Sequence, residues 1–183
     1  MEPLGVLLVA IVLLYAIASY RRFLAQRSVL ANSWSNVDAE LRRRHALVTQ
    51  LAAAVGKEGG DVEDARAAGE AADGERDPAG RRAAEERLSR ALQELVKRAE
   101  RRREIREDPS FVDLETQLIL IEDRITGAVR FYNANVGVYN KRVRGVPSAA
   151  VAWLAGFSSA PAFSVTPVEV PARTAVPIHN GRL

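Results

Sequence analysis

Cysteine is absent from the 183 residues, which removes disulfides, thiolate zinc sites, thiol catalysis and a lipidated N-terminal cysteine. Aromatic residues make up only 6%, so any core is aliphatic and padded with alanine. The two histidines, His45 and His179, stand too far apart in sequence to form a local metal motif. Net charge is only +3. The arginines are spread along segments whose acids largely offset them, without helix-turn-helix spacing or a single-strand stacking surface, which argues against a nucleic-acid partner. Enzymatic signatures are missing as well. No G-x-S-x-G elbow and no glycine-rich phosphate loop occurs. The carboxylates Glu115, Glu122 and Asp123 lack the Glu-x-x-His companion of a di-metal bundle. The expectation is a non-enzyme with no catalytic residue, no metal site and no cofactor.

What is present begins with an uncharged run, Leu4–Tyr20, of 17 residues dominated by Leu, Val, Ile and Ala. That is the lower end of the roughly 17–25 residues a helix needs to cross a bilayer. It lacks a polar stripe, Tyr15 and Tyr20 suit the headgroup level, and Arg21, Arg22 and Arg27 form a basic flank. Ala16-Ile17-Ala18 resembles a signal-peptide cleavage site, but no basic region precedes it and Glu2 stands beside the start. The reading is therefore a single-pass anchor with its flank over residues 1–27. The arginines place the bulk of the chain on the cytoplasmic side of the cell membrane by the positive-inside bias.

Beyond the anchor, Leu30, Trp34, Val37, Leu41, Val48, Leu51 and Val55 mark one face of a helix over Ser28–Val55. No proline or glycine separates it from Arg21, so the span is able to run into it unbroken. Residues 56–80 are glycine-rich and acidic, with room for a short helix at Asp61–Ala72. Arg81–Arg106 forms a second helix on Ala84, Leu88, Leu92, Leu95 and Ala99. After Asp108-Pro109, Ser110 with Asp113 makes a near capping box. The third helix then runs to Arg144 on Leu114, Leu118, Ile121, Ile125, Val129, Tyr132, Val136, Tyr139 and Val143. Ser148 is placed to cap a short helix through Leu154, and the proline-punctuated remainder reads as a tail. The predicted fold is all-α: an N-terminal transmembrane helix, then a long-helix antiparallel bundle of three long helices plus one short. The bundle domain is 28–157, and 158–183 is an extended, mostly disordered tail. An odd count of long helices puts Trp34 and Trp153 at opposite ends, each as a core plug.

Three asparagines in the middle of a strong helix ask for a reason, because the short amide competes for backbone bonds. Asn133 and Asn140 are seven apart, as are Tyr132 and Tyr139. The structural reading is a polar ladder whose amides bond a neighbouring helix and set its register; the functional reading is a recognition strip for a peptide or another helix. The basic runs Arg42, Arg43, Arg44 and Arg101, Arg102, Arg103 are candidates for contact with an anion or an anionic lipid. At a helix end, the second run is equally explained by the helix dipole.

Three blocks carry a family resemblance. They are Asn32-Ser33-Trp34 through Val37-Asp38 to Leu41-Arg42-Arg43-Arg44-His45; Glu122-Asp123-Arg124-Ile125 followed by Arg130-Phe131-Tyr132-Asn133 and Val138-Tyr139-Asn140; and Val146-Pro147 leading to Gly156-Phe157 and Phe163. Over about residues 4–165 the chain resembles the LemA family of small, membrane-anchored helical proteins of bacteria. The resemblance implies an anchored antiparallel bundle and no defined reaction. It agrees with a membrane-anchored scaffold or adaptor whose partners are the bilayer and another membrane-associated protein or a second copy. The alternative is a module that binds anionic lipid or a small ligand at the membrane surface.

Overall fold

A computed structural model describes residues 2–56, 60–74 and 78–170. Among them the protein is all-α, with six helices: α1 Glu2–Val55, α2 Gly60–Gly74, α3 Pro78–Arg101, α4 Arg103–Arg106, α5 Pro109–Arg144 and α6 Ser148–Leu154. With glycine confined to its first turn and no later proline, α1 continues for 54 residues, about 80 Å at 1.5 Å per residue. The apolar segment is thus not a separate helix; it is the first third of the longest bundle helix. That segment is long and apolar enough to cross a membrane, and almost none of it is buried within the protein. Gly56 ends α1 with φ +102°, a conformation side-chain-bearing residues rarely adopt.

The chain reverses at Gly56, and α2 returns along α1 so that Asp73 reaches the level of His45. α3 turns again and starts beside Asp38. α5 then descends along α1 from Leu118, in the distal core, through Ile125 against Leu41, to Tyr139 against Phe23. The short helix for which the acidic segment has room is therefore a pass of its own along α1. The number of passes is even, and the end of α5 lies beside the start of the bundle rather than far from it. This overturns the placement of the tryptophans at opposite ends. Trp34 packs against Tyr132 and Phe163, with ring centroids 5.3 and 5.0 Å away. Trp153 is no core plug, being 81% exposed on α6, which packs on α1 and α5 near Phe23.

The helix ends also differ from expectation. Asp108, not Ser110, caps α5. Its carboxylate accepts from the backbone N–H of Ser110 (2.7 Å) and Phe111 (3.3 Å), with Pro109 in the first turn, where its missing N–H costs nothing. Asp113 instead accepts from Gln117. Ser148 lies inside α6, and its hydroxyl donates backward to the carbonyls of Arg142 and Gly145. Arg102 is extended and splits the predicted Arg81–Arg106 helix into α3 and the single turn α4.

α2 and α3 flank only the distal half of α1. In the proximal half α1 and α5 form a two-helix pair, and two helices leave an open seam. Residues 157–170 fill it as an extended segment, burying Phe157, Phe163 and Val168. The expectation of a mostly disordered tail fails for 158–170; the rest of that expectation, 171–183, lies outside the described residues. The buried face of α1 likewise starts before residue 28, since Ser19 and Phe23 are buried.

Candidate functional site

Arg44 occupies a position on the apolar stripe of α1, between Leu41 and Val48, and is 0% exposed. An isolated buried guanidinium would be prohibitive, so it must be compensated. Its Nη2 donates to Ser89 Oγ at 2.7 Å, Nε lies 3.1 Å from Glu122 Oε1, and Nη1 lies 3.8 Å from Glu85 Oε2. Glu85, itself 0% exposed, is also approached by Arg81 Nε at 3.2 Å and by His45 Nε2 at 2.8 Å. Arg81 Nη2 continues to Asp38 at 3.2 Å, and His45 Nδ1 faces Asp73 at 3.5 Å. One charged centre therefore joins α1, α2, α3 and α5. Burial pushes the Glu122 carboxyl above its ordinary value of 4.5; Arg44 and a hydrogen bond from the Val168 backbone oppose that rise, and Glu85 adds to it.

The centre extends into a clamp on the extended segment. Asn140 Nδ2 donates to the Ala160 carbonyl and its Oδ1 accepts from the Ala160 N–H, both at 2.8 Å. Asn133 does the same with Phe163, at 2.7 and 2.9 Å. On α3, Gln93 repeats the pattern with Glu169, at 2.9 Å each way. Ser89 Oγ donates to the Thr166 carbonyl at 2.7 Å, and the Tyr132 hydroxyl donates to the Pro161 carbonyl at 3.1 Å. Burial raises the Tyr132 pKa above its ordinary value of 10.0, so the hydroxyl stays a neutral donor.

The spacing follows from the two backbone rises. Asn133 to Asn140 spans about 10.5 Å of helix, and Ala160 to Phe163 about 10 Å of extended chain. Glu122 to Asn133 spans about 16.5 Å, and so does Phe163 to Val168. A side-chain amide offers one donor and one acceptor, so each clamp satisfies both backbone groups of a residue that has no neighbouring strand. The asparagines thus bond the extended tail, not a neighbouring helix as the ladder reading expected. Tyr139, the fourth residue of the predicted strip, is buried edge-on against Phe23 with centroids 6.2 Å apart.

The basic runs are not brought together. Arg44 is enclosed as described, which withdraws it as a contact for lipid or solvent anions; a charge on the apolar period signals a buried partner rather than a surface. Arg42 pairs with Asp38 and Arg43 with Glu40 along their own helix. Arg101 and Arg102 are exposed at the end of α3, and Arg103 pairs with Glu107 at 2.9 Å. Arg21, Arg22 and Arg27 are exposed directly after the apolar segment, with Arg27 over the Phe157 ring at 5.8 Å.

Glu85, Ser89, Gln93 and Glu122 were not singled out as site residues. The available signal was that Glu85 and Glu122 fall on the apolar periods of α3 and α5, as Arg44 does on α1. An open cleft of about 600 Å³ beside His45 is lined by Arg42, Thr49, Arg66, Glu70 and Asp73, with acids and bases interleaved. Among the described residues no cluster of His, Asp and Glu has the disposition of a metal site. The chain matches the LemA family over residues 33–178, which takes in the charged centre and the clamp and begins after the apolar segment. No curated protein matches it.

Proposed function

Because the chain belongs to the LemA family, we propose that it is a non-enzymatic scaffold or adaptor, anchored in the cell membrane by one span with its bundle on the cytoplasmic side. The observation that carries this reading is the continuity of α1, which joins an exposed apolar segment to a bundle core without a hinge. About 27 Å of it, Pro3–Tyr20, matches a bilayer core, and the remaining 50 Å or so projects as a stiff mast. A mast of that kind holds a surface at a set height and orientation. The charged centre supports the same role, since Arg44 and Arg81 are held by the bundle's own carboxylates Glu85, Glu122 and Asp38.

The surface available to a partner is on α5, where Phe131 and Val138 are each 58% exposed. They stand seven residues apart, two turns along one face. The partner is another membrane-associated protein or a second copy. A photo-reactive residue at position 131 or 138 of the full-length protein, irradiated in native membranes, should give a protein adduct of discrete mass. Absence of any such adduct from both positions would overturn the adaptor reading.

The alternative, an anionic-lipid module built on Arg42–Arg44 or Arg101–Arg103, finds less support. Arg42 lies about 33 Å beyond Tyr20 along α1. α3 runs in the same direction from Arg81, beside Asp38, so Arg101 ends still farther from the span. Both distances exceed several times the screening length of about 8 Å at physiological salt.

A further inference from the structure

Aspartate and glutamate are absent from residues 3–37 and from residues 124–168. The fold brings these two stretches together as the proximal half of the molecule, the lower parts of α1 and α5 with α6 and the extended segment. Eight basic residues lie in them, while the acids are concentrated in the distal half. Five of the bases, Arg21, Arg22, Arg27, Lys141 and Arg144, are exposed around the foot of the bundle.

Among the described residues, the same foot carries the most exposed large apolar side chains outside the span. Val146 is 92% exposed, Trp153 81% and Leu154 76%. α6 buries Ala152 against α1 and α5 and turns Trp153 and Leu154 away. Its height is set by aromatic contacts: Phe157 lies 5.7 Å from Tyr20, the last residue of the uncharged run, and 4.8 Å from Phe23. Ser19 is buried and Ala16 half-buried, so the bundle's packed face overlaps the last turns of the span. A bilayer that accepts Leu4–Tyr20 therefore reaches α6.

We infer that α6, with Val146, is a second membrane contact, a foot that sits in the interfacial layer of the leaflet facing the bundle and is held there by anionic headgroups. The chemistry suits that layer. Tryptophan favours the boundary between headgroups and acyl chains, its ring apolar and its N–H able to bond, and an acid-free basic collar is attracted to anionic lipid. A foot packed against the mast fixes its rotation and tilt, which a single span does not. This inference rests on the reading of α1 as membrane-spanning.

The test uses full-length protein reconstituted in vesicles, with integration first established by resistance to alkaline carbonate extraction. Extraction into the wash would overturn the spanning reading itself. Trp34→Phe leaves Trp153 as the sole tryptophan. In integrated protein, lipids brominated near the headgroup should quench Trp153 severalfold more than aqueous iodide does, with blue-shifted emission. Iodide quenching at the level of free tryptophan would overturn the foot. Shielding from iodide without quenching by brominated lipid would also overturn it, and would place a protein there instead.

Should Trp34→Phe disturb the packing with Tyr132 and Phe163, Val146→Cys provides an independent readout, because the chain has no other cysteine. A nitroxide at this position should be more accessible to oxygen than to a polar nickel relaxant. The reverse order would overturn the foot. Phosphatidylglycerol vesicles should give stronger quenching of Trp153 than phosphatidylcholine, and the double variant Lys141→Gln/Arg144→Gln should lose that difference. Retention of the difference would overturn the role assigned to the basic collar.

Discussion

Asn133 and Asn140 each exchange two hydrogen bonds with one backbone residue of the extended segment. Removing either amide leaves a donor and an acceptor in a half-buried seam. Asn133→Ala and Asn140→Ala should each cost about 1–2 kcal/mol. Asn135 reaches no tail residue and its Nδ2 is buried without a partner. Asn135→Ala should therefore be neutral or slightly stabilising through helix propensity. Denaturant melts of the three variants give the order directly. Glu122 supplies a second test. Its folded-state pKa is raised by burial, so the folded protein binds more protons than the unfolded chain above about pH 4.5. Stability contributed by this group consequently falls as pH rises through that window. Glu122→Gln keeps acceptors for Arg44 and Val168 but does not titrate. The stability of wild type relative to Glu122→Gln should decline from pH 4.5 towards neutrality in paired melts; a flat or rising difference would show that Arg44 outweighs burial.

At the scale of elements, the extended segment takes the place of a missing helix. α1 and α5 continue well below the α2–α3 hairpin, and a pair of helices has a groove that must be covered. Phe163 closes it over Trp34 and Tyr132, while Phe157 closes it over Phe23. A fragment of residues 28–157 lacks both Phe23 and the clamped segment. Loss of one fully buried phenylalanine alone costs about 3–5 kcal/mol, so this fragment should melt at lower denaturant, with a shallower transition and dye-binding apolar surface. A fragment spanning residues 19–170 retains every element of the seam and should melt cooperatively. Thermal and urea melts by circular dichroism, run on the two side by side, distinguish these outcomes.

At the scale of the whole molecule, charge is sorted along the long axis: the foot is basic and free of acids, while the head mixes most of the acids with most of the bases. The proposed cytoplasmic orientation is tested by a single cysteine at Arg101, an exposed position at the far end of α3. In intact cells a membrane-impermeant maleimide should leave it unlabelled until lysis. Labelling before lysis would reverse the orientation.

The periodicity of the apolar residues was sufficient to locate α3, α5 and the bundle part of α1, because a helix's buried stripe is a local property of 3.6-residue spacing; α6 was marked instead by the residues at its ends, Ser148 and Gly156. The uncharged run and its arginine flank were equally legible, being composition alone. The family resemblance was carried by short blocks that are contiguous in sequence. Tertiary structure decided the rest. Whether Arg44 meets solvent or Glu85 and Glu122 depends on three helices separated by many residues. The even number of passes depends on an acidic, glycine-rich stretch whose weak pattern hid a full reversal. The asparagines marked themselves as unusual, but their partners are the backbone groups of Ala160 and Phe163. A backbone amide has the same chemistry at every residue, so no side-chain pattern in the tail announced where it would dock.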